Sequence, residues 1–508
     1  MTFDTVSAAS TDEEGPAPGP GAPARRGGKL YFFATIWAMA AALLRYVALA
    51  RLLGPTELGL AATIVVTSAF FDQVSDTGSD RFLIQDAEGE APRVQKLVQL
   101  VFLGRGIMIA TLLVVLAGPI AAFYKAPQLA HGLMIFALSP LIMGLVHMDN
   151  RRRQRDHDFR TVAVMTIACE TCSVIGTVVA AYLTHSFTAI LYGLIARSIV
   201  MVAVSHLLAK RPYRIAYSKE VGPRLSKFAR PLILNGVMLF IGSQSDRVIV
   251  GRKLGVSSLG HYSAVLLLVY YPSTVFLSFI HAIYVPLIAG HRGDVVERDK
   301  VIKTLGAQTM LLAVAMMLGF ALVAPIAVTL LYGERYHEPA YILTLIGVLQ
   351  IWRFLIVAPT TTAMSIGKSQ TILIGNLMRL MVFPGAYIGL VLVGGLAGVV
   401  GGFAVGEAFA VIIETMLVNR DTGLRLTSGL DRLAIFLVAC AAVVGMEVVW
   451  NNRSVSLATA AAVVLAISVT WLLIRERDSL KETVILARAW LRRMERRVRS
   501  RAPPLAGQ

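Results

Sequence analysis

Twelve ionisable side chains fall inside long apolar runs of this 508-residue chain, and they carry most of the chemistry it offers. Six are arginines, Arg45, Arg105, Arg197, Arg247, Arg353 and Arg379; six are acids, Asp72, Glu170, Asp246, Glu407, Glu414 and Glu447. A charge within a hydrocarbon span costs on the order of 2.5–3.5 kcal/mol by insertion scales unless it meets a partner or water, so these positions mark ion pairs or a wet pathway. A guanidinium is a planar fork that donates two parallel hydrogen bonds to an oxyanion. A carboxylate can pair with such a fork or carry a proton through a conformational step. Those near helix ends can snorkel, and Asp76 and Asp80 stand closer still to water.

Other reactive types offer less. Three cysteines support no disulfide framework, and Cys169 and Cys172, although spaced C-x-x-C, lie in the apolar run Thr161–Thr184, where small packing residues are the simpler reading. Gly367-Lys368-Ser369 ends like a phosphate-binding loop, but the first glycine of that motif would fall at Thr362. No ATP site, cofactor or metal site is expected. No connection is long enough to hold a catalytic domain, so the chain reads as a gradient-driven transporter and not an enzyme.

The elements that must position these charges are membrane-spanning helices. The chain is 56% apolar and 16% charged with a mean hydropathy of +0.67, against roughly 45–50% and about 25% in soluble domains. A span takes about 20 residues, and fourteen apolar segments of that order follow one another from Leu30 to Ile474. This excludes a soluble enzyme on a single anchor, and an outer-membrane barrel, whose strands would alternate at a period of two. Lys and Arg outnumber Asp and Glu by 48 to 31. In a soluble protein that excess would suggest nucleic acid. Here it fits cytoplasmic loops of an inner-membrane protein: with the N-terminus inside, the alternation places most Lys and Arg in cytoplasmic segments such as DNRRRQRDHDFR, and both termini inside. No nucleic-acid partner is expected.

An internal repeat orders the spans. Arg51-Leu-Leu-Gly-Pro-Thr-Glu-Leu-Gly59 returns 201 residues later as Arg252-Lys-Leu-Gly-Val-Ser-Ser-Leu-Gly260, with five of nine positions identical. Each copy sits in an external turn, six spans apart, so the two halves share one orientation about an axis along the membrane normal. The offset pairs Arg45 with Asp246, Glu170 with Arg379 and Arg197 with Glu407, at equivalent depths and opposite signs. If these faces line a central cavity, each pair meets across the interface and latches one conformation; otherwise each charge is neutralised within its own half. Arg105 and Arg353 have no acidic counterpart, Arg247 stands beside Asp246 and is expected to be neutralised by it, and Arg51 and Arg252 read as helix-end anchors. Tyr270, Tyr271, Phe276, Phe279, Trp352 and Phe354 are either packing or platforms for sugars.

The first copy and its flanks, YVALARLLGPTELGLAATIVVTSAFFDQVSDTGSDRFLIQ, resemble the first hairpin of bacterial polysaccharide transporters, the oligosaccharide flippases of the multidrug/oligosaccharidyl-lipid/polysaccharide exporter superfamily. SDRVIVGRKLGVSSLGHYSAV resembles the opening of their second bundle. The resemblance implies an all-α membrane protein with two pseudo-symmetric six-helix bundles, residues 29–209 and 231–418, joined by a cytoplasmic linker at 210–230 and followed by two extra helices at 431–474. Flanking them are a disordered tail at 1–28 and a basic tail at 475–508, whose Leu486, Trp490, Leu491, Met494 and Val498 share the face of an interfacial helix. The implied cargo is an undecaprenyl-pyrophosphate-linked oligosaccharide, moved from the cytoplasmic to the external leaflet by alternating access. Polysaccharide polymerase and glycosyltransferases of the same pathway are implied partners beside the bilayer itself. Arg105 and Arg353 then become the first candidates for the pyrophosphate, with Arg45, Arg197, Arg247 and Arg379 behind them, and Glu170, Asp246 and Glu407 the candidates for coupling or gating between bundles. A lipid II flippase, a cation-coupled drug exporter and a membrane scaffold recruiting a glycosyltransferase are the alternatives, and six intramembrane arginines disfavour the drug exporter.

Overall fold

The computed structural model describes residues 28–156, 158–291, 293–451 and 455–477, so the expected N-terminal tail and basic amphipathic helix lie outside the described residues. Among the described residues the regular structure is entirely helical, as it must be where no water can satisfy a lipid-exposed backbone. In chain order the apolar helices are α1 (Leu30–Leu52), α2 (Pro55–Val74), α3 (Pro92–Phe123), α4 (Gln128–Met143), α5 (Arg160–Thr184), α6 (Thr188–Leu207) and α7 (Val221–Leu254). They continue as α8 (Val256–Gly290), α9 (Val295–Tyr332), α10 (Ala340–Ile366), α11 (Gln370–Leu392), α12 (Gly395–Thr422), α13 (Leu430–Trp450) and α14 (Ser456–Arg475). Thirteen are long and apolar enough to cross a membrane, and α4 is shorter. The chain is a multi-pass membrane protein.

Proline punctuates three of these helices. Pro140, Pro359 and Pro384 each lack an N–H for the carbonyl four residues back and crowd it sterically. The breaks follow from this: α4 divides at Ala137, α10 divides at Ile356, and α11 passes through a 3₁₀ turn at Arg379–Met381. Helices α4 and α10 are six apart, so the repeat preserves a broken helix at the same place in each half. Where the chain instead needs a clean start, Pro55 and Pro92 occupy the first turns of α2 and α3, where no intrahelical N–H bond is lost. At α9 the Asp294 carboxylate accepts the Val296 and Glu297 N–H groups, each at 3.1 Å. The linker region expected at 210–230 is helical from Val221 onward, as the start of α7.

Helices α1–α6 pack into one bundle and α7–α12 into a second, while α13 and α14 pair with each other and lie against α9 and α10. Close helix approach relies on glycine, as expected where helices associate by packing in lipid. In α11 and α12, a Cβ on Gly389 would stand 2.1 Å from the Gly398 carbonyl oxygen, and one on Gly402 2.0 Å from that of Gly385. The bundles meet chiefly through α2, which runs against both α7 and α8, and through α1 against α8 and α9.

Candidate functional site

Seven of the twelve intramembrane charges gather into two clusters, one per bundle. In the first, Glu170 of α5 is central: Oε2 lies 2.8 Å from Arg45 Nη1 of α1 and Oε1 lies 2.7 Å from Arg197 Nε of α6. Arg45 also donates to the Ser173 hydroxyl at 2.7 Å. In the second, Arg353 of α10 bridges two acids, with Nη1 2.9 Å from Asp246 of α7 and Nε 3.0 Å from Glu407 of α12. Arg379, on the 3₁₀ turn of α11, stands 3.4 Å from the other Glu407 oxygen. Tyr262 donates its hydroxyl to Asp246. The repeat-related positions thus carry arginine–acid–arginine in one bundle and acid–arginine–acid in the other, with Arg353 added.

Of the two alternatives for the repeat-paired charges, the geometry shows neutralisation within each half, and it corrects two further expectations. Arg45 does not meet Asp246, Arg379 does not meet Glu170, and Glu407 does not meet Arg197; every acid takes its cation from a neighbouring helix of its own bundle. Intra-bundle packing fixes those partners at contact distance, which leaves no carboxylate to reach across. Arg353 is not unpartnered: it serves two carboxylates and its side chain is only 9% exposed. Arg247 forms no direct ion pair with its neighbour Asp246, whose Oδ2 is held by Arg353; it donates to Gln244 Oε1 at 2.8 Å and makes no ion pair among the described residues.

Arg105 occupies a different setting. It caps the end of α2, donating to the Ser75 hydroxyl at 2.8 Å and the Asp72 carbonyl at 2.7 Å, with the exposed Asp72 carboxylate at 3.4 Å. That acid escapes the repeat mapping because it belongs to the same helix pair as the arginine. Arg105, Arg197 and Asp72 line one cavity of about 150 Å³ inside the first bundle, together with the hydrogen-bonded Ser139–Ser198 pair. Glu414 and Glu447 bind hydroxyls, those of Thr360 at 2.7 Å and Thr344 at 2.9 Å. Trp352 is 1% exposed and packs edge-on against Phe436, so it is core and no sugar platform; Phe354 is likewise buried. Tyr270, Phe276 and Phe279 remain exposed on α8, where Phe279 meets Phe32 of α1.

At the interface between bundles, Arg45 of α1 and Arg247 of α7 both lie within electrostatic reach of Tyr46 of α1 and Tyr271 of α8. The two repeat motifs close the interface at the end where α1 and α7 terminate. Arg51 crosses to donate to the Leu331 carbonyl, at 2.8 Å, and to the Leu330 carbonyl at the end of α9. Its counterpart Arg252 crosses the other way, its guanidinium 5.4 Å from the Phe123 ring at the end of α3, a cation–π geometry. Between them a Cβ on Gly59 would lie 1.7 Å from the Val256 carbonyl oxygen and one on Gly260 2.0 Å from that of Pro55. Arg51 and Arg252 are therefore cross-bundle arms, beyond the anchoring role expected. The motif itself held the signal, in its conserved spacing of arginine and glycine between the two copies.

Solved structures share this architecture. A lipid II flippase, MurJ, in an inward closed conformation superposes with a TM-score of 0.64 at 14% identity, covering 89% of this chain and all of that one. An inward-facing MATE-family multidrug resistance transporter superposes with a TM-score of 0.64 at 14% identity, covering 78% of this chain and 98% of the other. At such identity the likeness is one of fold. Among curated sequences, the succinoglycan biosynthesis transport protein ExoT of Rhizobium meliloti is 27% identical over 306 residues, 60% of each chain. The amylovoran biosynthesis protein AmsL of Erwinia amylovora is 23% identical over 46% of this chain and 61% of its own length. The lipopolysaccharide biosynthesis protein WzxC of Escherichia coli is 21% identical over 64% of this chain and 67% of its own. The match thus spans about 60% of the length of the first two relatives. Residues 48–340, which hold both copies of the repeat motif together with Glu170, Arg197 and Asp246 of the charge clusters, match the polysaccharide biosynthesis protein family, and the chain belongs to that family.

Proposed function

We propose that this protein is an inner-membrane flippase, with both termini cytoplasmic, which moves a polyprenyl-pyrophosphate-linked oligosaccharide from the cytoplasmic to the external leaflet for surface polysaccharide assembly. The observation that carries the reading is the pair of arginines near the interface: Arg247 of the second bundle makes no ion pair among the described residues and lies within electrostatic reach of the same two tyrosines as Arg45 of the first, while Glu170 is held by Arg45 and Asp246 by Arg353. A bidentate fork suits a pyrophosphate, and two forks from opposite bundles hold it where relative bundle motion changes its access. The family and the three relatives, all of polysaccharide pathways or their transport by name, support the same cargo class. No bond is made or broken. A negative-inside potential drives an anionic cargo outward by about 2.3 kcal/mol per charge per 100 mV.

Deleting the gene in its host tests this. The expected result is loss of a surface polysaccharide with lipid-linked repeat units accumulating in the cytoplasmic leaflet. An unchanged polymer and no accumulating intermediate, in a host without a second such transporter, overturns it. The superposition on the whole of the lipid II flippase, covering 89% of this chain, favours one second reading: transport of a peptidoglycan precursor, for which the same deletion would stop wall synthesis instead.

A further inference from the structure

Arg105 belongs to two spaces at once. Behind it lies the polar cavity shared with Arg197; in front of it lies an apolar groove of about 500 Å³ between α2, α3 and α7, lined by Phe70, Met108, Leu112 and Ile233. Those four side chains are all exposed. Gly104, Ile107, Met108, Thr111, Leu112 and Val115 recur at helical spacing as the exposed face of α3, and on a spanning helix that face meets lipid. The guanidinium is oriented by the Ser75 hydroxyl and the Asp72 carbonyl, whereas its only carboxylate partner among the described residues is long, at 3.4 Å, and 60% exposed. An incoming phosphate can replace that carboxylate without disturbing the other two bonds.

We infer that this groove is the loading station of the lipid carrier, with the carrier's phosphate on Arg105 and its single isoprenoid chain along Phe70, Met108, Leu112 and Ile233. The inference rests on the flippase reading and adds a place and an occupant to it. Charge complementarity selects an anionic head. A single groove bounded by three helices selects a single-chain lipid over a diacyl one, whose second chain would find no seat. The cavity behind Arg105 then leads the head group toward Arg197 and the first charge cluster.

The probe is a diazirine-bearing polyprenyl phosphate, photolysed with the full-length protein in phosphatidylcholine vesicles. Labelling is expected on α2, α3 and α7. A Cβ at Gly104 has nothing within 4 Å, so Gly104→Trp folds and fills the groove; it should cut labelling about tenfold, as should Arg105→Ala, with Arg105→Lys intermediate. Labelling that is indifferent to Gly104→Trp overturns the inference. So does displacement by millimolar inorganic phosphate alone, which would make this a phosphate site, or equal competition by phosphatidylglycerol, which would make it a site for any anionic lipid. In cells, normal export by Gly104→Trp in a host where the deletion abolishes export sinks the groove and leaves the flippase standing. A deletion without phenotype sinks the flippase reading itself.

Discussion

Two arginines on facing helices of the second bundle have opposite energetic roles. Arg353 joins Asp246 and Glu407 in a buried network. Its removal would leave Asp246 with only the Tyr262 hydroxyl and Glu407 with only the longer contact to Arg379, and breaking a buried pair in this way costs about 3–5 kcal/mol. Arg247 is hydrogen-bonded only to Gln244 among the described residues, and its removal leaves Asp246 its direct partners Arg353 and Tyr262. Arg353→Ala should therefore lower the thermal unfolding temperature of the purified protein markedly, whereas Arg247→Ala should leave it within a few degrees and abolish transport of lipid-linked oligosaccharide. Equal loss of stability in both variants would refute this division. The positions of these charges were legible in the sequence, because a charge in an apolar run cannot hide. Their partners were not: Arg353 sits three residues before a break in α10 that sets which acids it can reach, and distance between helices leaves no trace in one sequence. Offsets within the repeat gave equivalent depth, and depth alone does not say on which side of a helix a partner stands.

Among elements, α2 makes the most extensive contact between the bundles. It packs on its own bundle near α4 and α6, and on α7 and α8 of the other, so any relative motion of the halves must slide or hinge along it. Its contact with α8 depends on Gly59 and Gly260, each pressed on a backbone oxygen of the opposite helix. A side chain at either position forces the helices apart at that end. Gly59→Leu and Gly260→Leu should each displace the protein toward the conformation open at that end, read as a longer spin-label distance between α2 and α8. An unchanged distance in both variants would mean that this glycine contact does not hold the interface. The fourteen apolar segments were readable by length and composition, and thirteen are full spans. The segment near residues 129–148 is instead a short, divided α4, since Pro140 withdraws a hydrogen bond and crowds the turn before it. Hydropathy counts apolar residues and is blind to that break.

For the whole molecule, the repeat acts as a pair of arms that cross. Arg51 reaches from the first bundle to α9 of the second, and Arg252 from the second to Phe123 on α3 of the first. Because both arms engage at the same end and in the same conformation, they stabilise that closed state together and contribute nothing once the bundles part there. Transport needs the closed state to be reversible, which suits an arm made of two carbonyl hydrogen bonds and one cation–π contact better than a buried ion pair. Losing one arm should favour the state open at this end by roughly tenfold, if it is worth about 1.4 kcal/mol, and losing both should compound the effect. Ala50, at the end of α1, is buried beside this closure and serves as the reporter. In a cysteine-free background, Ala50→Cys should resist a membrane-impermeant thiol reagent. It should react progressively faster with Arg51→Ala, Arg252→Ala and the double variant, and addition of lipid-linked cargo should change those rates. Identical reactivity across the series would show that the arms decorate the interface without governing it.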